Sequence, residues 1–475
     1  MITSIAWKNI WRNKTRSLIV IIAVTIGVFA GIFSMAAINS SVVQRIDAAV
    51  NDELSHIQVN NKDFRSSADI QNTISDYTGV VGALQSTQGV TKATGRIIIR
   101  GIASTATKSS GVEITGIDVE KEKEIFTLSE KIIPGTGSFF ETETKYNTVF
   151  IGEKLAKELN IIRYILTPGA IASLREERIP EDILTKIETL LGQRFTSDKK
   201  FVKAYEKILE TNEIQKYGWK IKEAAWSYRE GSKIILSFLD INNNQTGAAF
   251  RVSGIFRTNN DMFESFSLFV PIDELRQLTG MKEGTFHRVI ARLENNDITN
   301  NITPVIREKL PDYEVLNWKE IQPDLAMITD FIDQIYAVFM VLILAALAFG
   351  IVNTMLMAVL ERTRELGMLM AIGMNRRKIF LMIMLESIFL SIVGGFAGMA
   401  VSEIVIAITG RTGINLVKYS EGMEAMGYSA HLFPAIDAQF FVTTTILIVL
   451  TGIIAAIYPA RKALRLNPIE AIRTE

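Results

Sequence analysis

The chain has 475 residues, with 51 lysines and arginines, 51 aspartates and glutamates, and no cysteine. A net charge of zero argues against a nucleic-acid-binding protein, because such proteins present a basic face. The absence of cysteine excludes disulfides, thiolate metal sites and a cysteine nucleophile. A mean hydropathy of +0.22 beside 21% charged residues means that the apolar residues are concentrated in particular segments.

Four of those segments are apolar enough to be membrane-spanning helices. Residues 17–38 contain no charge and would form a helix of about 33 Å, long enough to cross a bilayer. The other spans are expected within residues 331–360, 379–408 and 438–458. Residues 17–38 exceed the roughly 7–15 apolar residues of a signal peptide, so we interpret them as an uncleaved anchor.

The distribution of lysine and arginine predicts the orientation of the spans. Basic residues cluster in residues 1–16, in the loop 361–378 and in the tail 459–475, whereas the loop 409–437 has few. We therefore expect a cytoplasmic amphipathic helix at the N-terminus and cytoplasmic positions for the middle loop and the tail. The long segment 39–330 should then lie outside the membrane, between the first and second spans.

Residues 39–330 have the composition of a soluble domain, and β-type runs alternate in them with helical patterns, which predicts an α+β domain. Residues 168–230 carry dense charge at helical spacing, and we interpret them as a solvated helical insertion, with a docking arm for a partner as the alternative. The spacing of apolar residues over Val43–Leu54 predicts an outward extension of the first span. The β-type runs are His56–Val59, Arg96–Arg100, Val112–Ile117, Thr148–Ile151, Lys233–Phe238, Phe250–Phe256, Ser267–Val270 and Arg288–Leu293, and the helical patterns are Ile70–Ser86, Glu153–Leu159, Ile272–Leu278 and Ile302–Lys309.

No motif in the sequence assigns an enzymatic activity. The pattern G-x-x-x-x-G-K-[ST] is absent, so these residues cannot build a P-loop for nucleotide phosphates. The three histidines, His56, His287 and His431, are far apart and lack metal-ligand spacing. The sequence predicts a chain that is not an enzyme and has no metal or cofactor of its own.

Polar and small residues inside the spans are candidates for helix packing. Glu386 lies about one-third of the way into the third span, and an ionisable residue at that depth is a functional candidate. We favour a packing role, through protonation or a hydrogen bond to a neighbouring span or to Asn353, with proton or substrate coupling as the alternative. Two glycine pairs have the four-residue spacing that lets another helix approach closely, within the chain or in a dimer: Gly27 with Gly31, and Gly394 with Gly398.

The loop 361–378 is charged at both ends and apolar in its middle, at Leu366, Leu369, Met370 and Ile372. Such a pattern is typical of a short amphipathic helix that lies on a membrane or in the cleft of a partner.

This loop, ERTRELGMLMAIGMNRRK, and the tail, YPARKALRLNPIEAIR, resemble the MacB/FtsX-type ABC transporter permeases. The resemblance implies a four-helix transmembrane bundle in a 1+3 arrangement, with a large α+β periplasmic domain inserted between spans one and two. It also implies the bacterial inner membrane, a partner dimer of ABC ATPase subunits that binds ATP and Mg, a second permease chain in a homo- or heterodimer, a periplasmic carrier or adaptor protein, and membrane lipids. The residues expected to couple to the ATPase are Glu361, Arg362, Arg364, Glu365, Gly367, Ala371 and Gly373, and the tail motif covers Tyr458–Arg461 and Pro468–Arg473.

Within that family, the segment LNWKEIQPDLAMI at 316–328 resembles the lipoprotein-releasing (LolC/LolE-like) branch. The resemblance predicts extraction of lipoproteins from the inner membrane by mechanotransmission. The alternatives are MacB-like export of a drug, peptide or toxin, and a membrane scaffold or sensor that regulates an envelope enzyme. For lipoprotein release, acyl chains would contact the outer halves of the first two spans, at Phe29, Phe33, Met35, Phe339, Met340 and Leu342.

Overall fold

A computed structural model describes residues 2–140, 145–436 and 438–465 of the chain, without the side chains at 333 and 439. The tail motif at Pro468–Arg473 lies outside the described residues. The chain divides into a membrane unit, made of Met1–Arg45, Asp324–Glu421 and Tyr428–Glu475, and an extracytoplasmic unit, made of Ile46–Pro323 and Gly422–Gly427.

The membrane unit contains four helices that are long and apolar enough to cross a membrane. Span 1 is Lys14–Ala48, span 2 is Pro323–Glu361, span 3 is Arg376–Thr412 and span 4 is Ala438–Leu464. This confirms the predicted 1+3 bundle with an α+β domain between spans one and two. The helices exceed the expected bounds because each continues past its apolar stretch, and 37 residues extend about 55 Å against a hydrocarbon core of about 30 Å.

Shorter elements flank the spans. An N-terminal helix covers Ile2–Arg12, and a helix that we name the coupling helix covers Thr363–Ala371. Between spans 3 and 4, the two-residue strands Ile414–Asn415 and His431–Leu432 pair in antiparallel fashion. Span 1 is followed by a π-helix over Ala49–Leu54, so the helical path continues where the apolar spacing predicted an extension.

The extracytoplasmic unit is built on a nine-stranded sheet in the order β12-β1-β11-β2-β3-β10-β4-β9-β8, and β2 also pairs with β8. That additional pairing closes the six strands from β2 to β8 into a ring, whose buried side chains form the main core. The first half of β2 belongs instead to a four-stranded part with β11, β1 and β12 and has its own core. The strands are β1 (Ile57–Asn60), β2 (Val90–Ser104), β3 (Ser109–Ile117), β4 (Thr148–Gly152), β5 (Ile162–Ile165), β6 (Arg194–Phe195), β7 (Trp226–Tyr228), β8 (Lys233–Leu239), β9 (Gln245–Phe256), β10 (Ser267–Pro271), β11 (Arg288–Leu293) and β12 (Glu314–Asn317).

Most of the predicted β-type runs lie within these strands, but the long helix expected at Ile70–Ser86 is wrong. The helix is only Tyr77–Gln85, because Asp76 caps it by accepting a hydrogen bond from the backbone N–H of Gly79, and Ile74 instead bridges to Phe286. The other helices of this unit with eight or more residues are Pro168–Glu176, Glu181–Glu188, Asp198–Tyr205, Thr211–Ala225, Ile272–Thr279 and Thr299–Lys309.

The segment expected to be a solvated helical insertion has more structure than its charge pattern predicted. Its four helices pack around their own apolar core, in which Leu174, Ile187 and Phe201 are fully buried. A three-stranded sheet in the order β6-β5-β7 completes the core. The charge pattern did not predict β structure here because β6 and β7 are only two and three residues long.

Candidate functional site

The N-terminal helix is joined to the coupling helix by one ion pair, and the start of span 1 is joined to the end of span 2 by another. Arg12 Nη1 donates to Glu365 Oε2 at 3.0 Å, and Arg16 pairs with Glu361. The two arginines are four residues apart, as are the two glutamates, and the pairs form in opposite chain order across the break between two helices on each side. The hydrogen bond from Arg12 lowers the pKa of Glu365, which keeps this carboxylate ionised.

Glu386 in span 3, which is 6% exposed, also belongs to this cluster. Its carboxylate accepts a hydrogen bond from Arg362 Nη1 at 3.1 Å and another from Asn9 Nδ2 at 2.5 Å. Arg362 Nε also donates to Glu365 Oε2 at 3.3 Å, so one guanidinium joins the buried glutamate to the coupling helix. The hydrogen bond that we considered between Glu386 and Asn353 is absent, and Asn353 is exposed.

A cavity of about 260 Å³ lies beside this cluster, inside the membrane unit. Its lining includes Asn9, Arg12 and Arg16 from the N-terminal region and Glu361, Arg362, Glu365 and Glu386 from the other side. More than 300 positions of the sequence separate the N-terminal residues from the others, and from the sequence alone the arginines predict only the topology. The signal that could have linked them is the equal four-residue spacing of Arg12 with Arg16 and of Glu361 with Glu365.

The remaining residues expected to couple to an ATPase differ in burial. Gly367 is buried, whereas Arg364, Ala371 and Gly373 are exposed. Gly373 adopts a φ of +92°, a conformation that favours glycine, and it follows the end of the helix. Two apolar side chains of this region stay exposed, Met368 at 46% and Ile372 at 83%. An exposed apolar surface beside fixed charges is typical of a docking surface.

The glycine pairs lie at close contacts between spans of the same chain. A Cβ atom on Gly27 would lie 2.8 Å from Leu347 and one on Gly31 would lie 2.8 Å from Met340 Sδ, both in span 2. A Cβ atom on Gly394 would lie 2.7 Å from Val24 Cβ, and one on Gly398 would lie 2.8 Å from the carbonyl oxygen of Thr25. Span 1 is therefore packed between spans 2 and 3 through these glycines.

The six residues proposed to contact acyl chains do not share one surface. Met35 and Met340 are buried at 4% and 1% and line a narrow gap between spans 1 and 2. Phe29 stacks on Phe33 with ring centroids 5.5 Å apart, and both are half-buried. Phe339 and Leu342 are exposed. Met340 packs against Gly31, so a charge at position 340 would disturb helix packing whether or not an acyl chain binds.

Comparison with known proteins shows what the chain is similar to. Residues 337–468 match the model of the FtsX-like permease C-terminal family. An uncharacterized ABC transporter permease from Methanocaldococcus jannaschii is 29% identical over 237 residues, which are 48% of this chain and 55% of the relative. The macrolide export ATP-binding/permease protein MacB of Escherichia coli is 27% identical over 232 residues, which are 47% of this chain and 34% of the relative.

Among solved structures, the extracellular domain of the noncanonic ABC-type transporter YknZ from Gram-positive bacteria aligns with 55% of this chain and 98% of its own, at 12% identity and a TM-score of 0.27. The chain thus spans about half or less of the length of the two curated relatives described above.

The four spans and the domain between the first two define a multi-pass membrane protein with a large extracytoplasmic domain. Residues 337–468 are similar to the FtsX-like permease family, and about half of the chain is similar to ABC transporter permeases, MacB among them. The 475 residues of this chain contain no P-loop motif of the form G-x-x-x-x-G-K-[ST]. The relatives reported above do not support the narrower resemblance to lipoprotein-releasing permeases.

Proposed function

We propose that the chain is the permease subunit of an ABC transporter of the MacB export type. A separate dimer of ATPase subunits would bind ATP and Mg, and two permease chains would transmit its motion to the extracytoplasmic domains. The ion-paired coupling helix carries this proposal, because charges fixed on one face and apolar residues left exposed suit a docking element. Export is favoured over lipoprotein extraction because a relative named for macrolide export matches nearly half of the chain.

The paired charges make the coupling role testable by charge reversal. Glu365→Arg would place a third cation beside Arg12 and Arg362, so the coupling helix should leave its position. We expect ATPase activity that co-purifies with the chain from its own membranes to fall roughly tenfold, equivalent to about 1.4 kcal/mol. The double variant Arg12→Glu with Glu365→Arg restores the intrachain pair and should recover most of that activity.

Lys462→Glu is the matched control, because Lys462 is an exposed cation near the end of span 4 and lies outside the tail motif. This variant should keep the activity of the unmodified chain. Co-purification without any ATPase subunit would contradict the proposed function. Normal ATPase activity with Glu365→Arg would contradict the role of the coupling helix.

The same preparation separates export from lipoprotein extraction. A lipoprotein-releasing permease should retain triacylated lipoproteins during purification. Leu342→Asp should abolish that retention, since Leu342 is 64% exposed and a charge there is unfavourable for contact with an acyl chain. For an exporter we expect no enrichment of acylated proteins. Retention of triacylated lipoproteins that is lost in Leu342→Asp would reverse our preference.

A further inference from the structure

A cavity in the extracytoplasmic unit has a volume of about 640 Å³, within the usual range for small-molecule sites. It opens where β3 and β10, which run parallel to each other, both end, at Ile117 and Pro271. Thr94 and Gly95 of β2 form another wall, at the point where β2 passes from the four-stranded part into the closed ring. The cavity therefore lies at the junction of the two parts of this unit.

The lining of this cavity is acidic, with five carboxylates and two cations. Both cations are already neutralised, since Lys121 Nζ lies 2.9 Å from Asp118 Oδ2 and Arg276 Nη1 lies 2.9 Å from Asp273 Oδ1. A third carboxylate, Glu120, pairs with Lys123 outside the cavity at 2.9 Å. The remaining carboxylates give the cavity an excess of negative charge.

Among the carboxylates that are not paired with a cation, Glu274 is half-buried. One of its oxygens accepts a hydrogen bond from the backbone N–H of Thr148 at 3.1 Å. Within the described part of the chain, no lysine or arginine pairs with Glu274. Burial raises its pKa to about 7, because no cation offsets the loss of solvent. A carboxylate in this state gains from a cation that enters the cavity.

Two further features of the cavity are typical of a ligand site: a buried hydroxyl without a partner among the described residues, and an aromatic wall. Thr94 is 1% exposed, and its Oγ1 has no hydrogen-bond partner among the residues that the structure describes, although buried hydroxyls nearly always have one. The cavity wall also contains the rings of Tyr77 and Phe286, whose centroids are 4.2 Å apart and whose planes are tilted by 32°. The guanidinium of Arg276 lies 5.6 Å from the Phe286 ring, so this wall already accommodates a cation against an aromatic ring.

We propose that this cavity binds an organic cation, an ammonium or guanidinium group on an apolar body, with Glu274 as its ion-pairing residue. The apolar body lies against Tyr77 and Phe286, and the hydroxyl of Thr94 supplies a polar contact. Such a group occurs in small amphiphilic amines and in the lysine or arginine side chains of a polypeptide. The proposal names a ligand class for the extracytoplasmic unit and does not depend on coupling to an ATPase.

The test uses the purified full chain in lipid nanodiscs and two fluorescent probes. One probe is rhodamine 6G, a small apolar cation, and the other is a labelled peptide Phe-Lys-Phe with blocked ends, with norleucine in place of lysine as its neutral control. We expect saturable binding of at least one cationic probe and at least tenfold weaker binding by Glu274→Gln, which keeps an oxygen for the N–H of Thr148. Glu308→Gln changes an exposed glutamate outside the cavity and should bind like the unmodified chain.

The pH dependence of probe binding is a second test, because a purely structural role of Glu274 would not produce it. The fraction of a carboxylate that is ionised falls about tenfold from pH 8 to pH 6 when its pKa is about 7. The titratable groups that face it, on the elements after β3 and β10 and in the loop before β11, include Asp118, Lys121, Asp273, Arg276 and Glu283, together with Tyr77. Binding should therefore weaken up to tenfold over this range, and Glu274→Gln should abolish most of that dependence.

Each outcome has a definite meaning. Saturable binding that Glu274→Gln weakens supports the site, and the probe that binds identifies the source of the cation. Binding that Glu274→Gln leaves unchanged, equal binding of the norleucine peptide, or no saturable binding of either probe would overturn it. Glu274→Gln should also retain co-purified ATPase activity, so loss of the cation site and failure of the proposed transport function are separate results.

Discussion

The ion pair between Arg362 and Glu386 offers a direct test of how the membrane unit is held together. Arg362→Met removes the guanidinium but keeps most of the apolar stem of the side chain. The carboxylate of Glu386 would then keep only the hydrogen bond from Asn9. Since the Glu386 side chain is 8% exposed, the variant leaves a nearly buried charge without its counter-ion.

The separation of 3.1 Å between Nη1 and Oε1 corresponds to about 5 kcal/mol at an effective dielectric constant of about 20. Breaking a buried pair from one side typically costs about 3–5 kcal/mol. The side chain of Arg362 is 21% exposed, so solvent screens part of this attraction. We therefore expect Arg362→Met to lower the free energy of unfolding by about 3 kcal/mol, roughly two orders of magnitude in the unfolding equilibrium.

The assay is reversible unfolding of the purified chain in mixed micelles with increasing dodecyl sulfate, followed by tryptophan fluorescence. Glu386→Gln with Arg362→Met should cost less than Arg362→Met alone, because no buried charge is left unpaired. Lys378→Met, at an exposed cytoplasmic position, is the matched control and should be neutral. A loss of under 1 kcal/mol in Arg362→Met, or a double variant as unstable as the sum of the single ones, would refute this account of the pair.

Three further predictions concern packing, acidity and topology. Gly398→Leu should lower the unfolding temperature by several degrees, because overpacking against span 1 costs about 1–3 kcal/mol. Gly350→Leu is the control and should have no such effect, because no atom lies within 4 Å of the new Cβ. Equal effects of the two substitutions would contradict the close contact at Gly398. Burial raises the pKa of Glu264 to about 7, so its contribution to stability is complete below pH 4.5 and is lost as pH rises through 7. Between pH 5 and pH 8, the free energy of unfolding should fall by up to about 3 kcal/mol because of this group. Glu264→Gln should remove this pH dependence. If the variant keeps the pH profile of the unmodified chain, the assignment to Glu264 is wrong. A cysteine at Asn242 should react in whole cells with a membrane-impermeant thiol reagent, once any outer membrane is permeabilised, and one at Asn375 should not; the reverse pattern would invert the topology.

The sequence by itself determined the features that depend on local composition. Charge-free runs of about 20 residues can hardly be anything but spans, and the lysines and arginines beside them set the orientation. The loop 361–378 was recognisable as an amphipathic helix, because its charges and apolar residues are close in the chain. Most strands of the extracytoplasmic unit could also be predicted, because a strand that is buried on one or both faces has a short apolar or alternating sequence.

Only the tertiary structure decided the features made by residues far apart in the chain. No local pattern indicates that Glu386 binds Arg362 and Asn9, the latter 377 positions away, instead of Asn353. The closure of the strand ring by β2 and β8, and the acidic cavity beside β2, likewise depend on pairings between distant segments. The physical reason is that an ion pair or a cavity is fixed by distance in space, whereas propensity and hydropathy act over a few neighbouring residues.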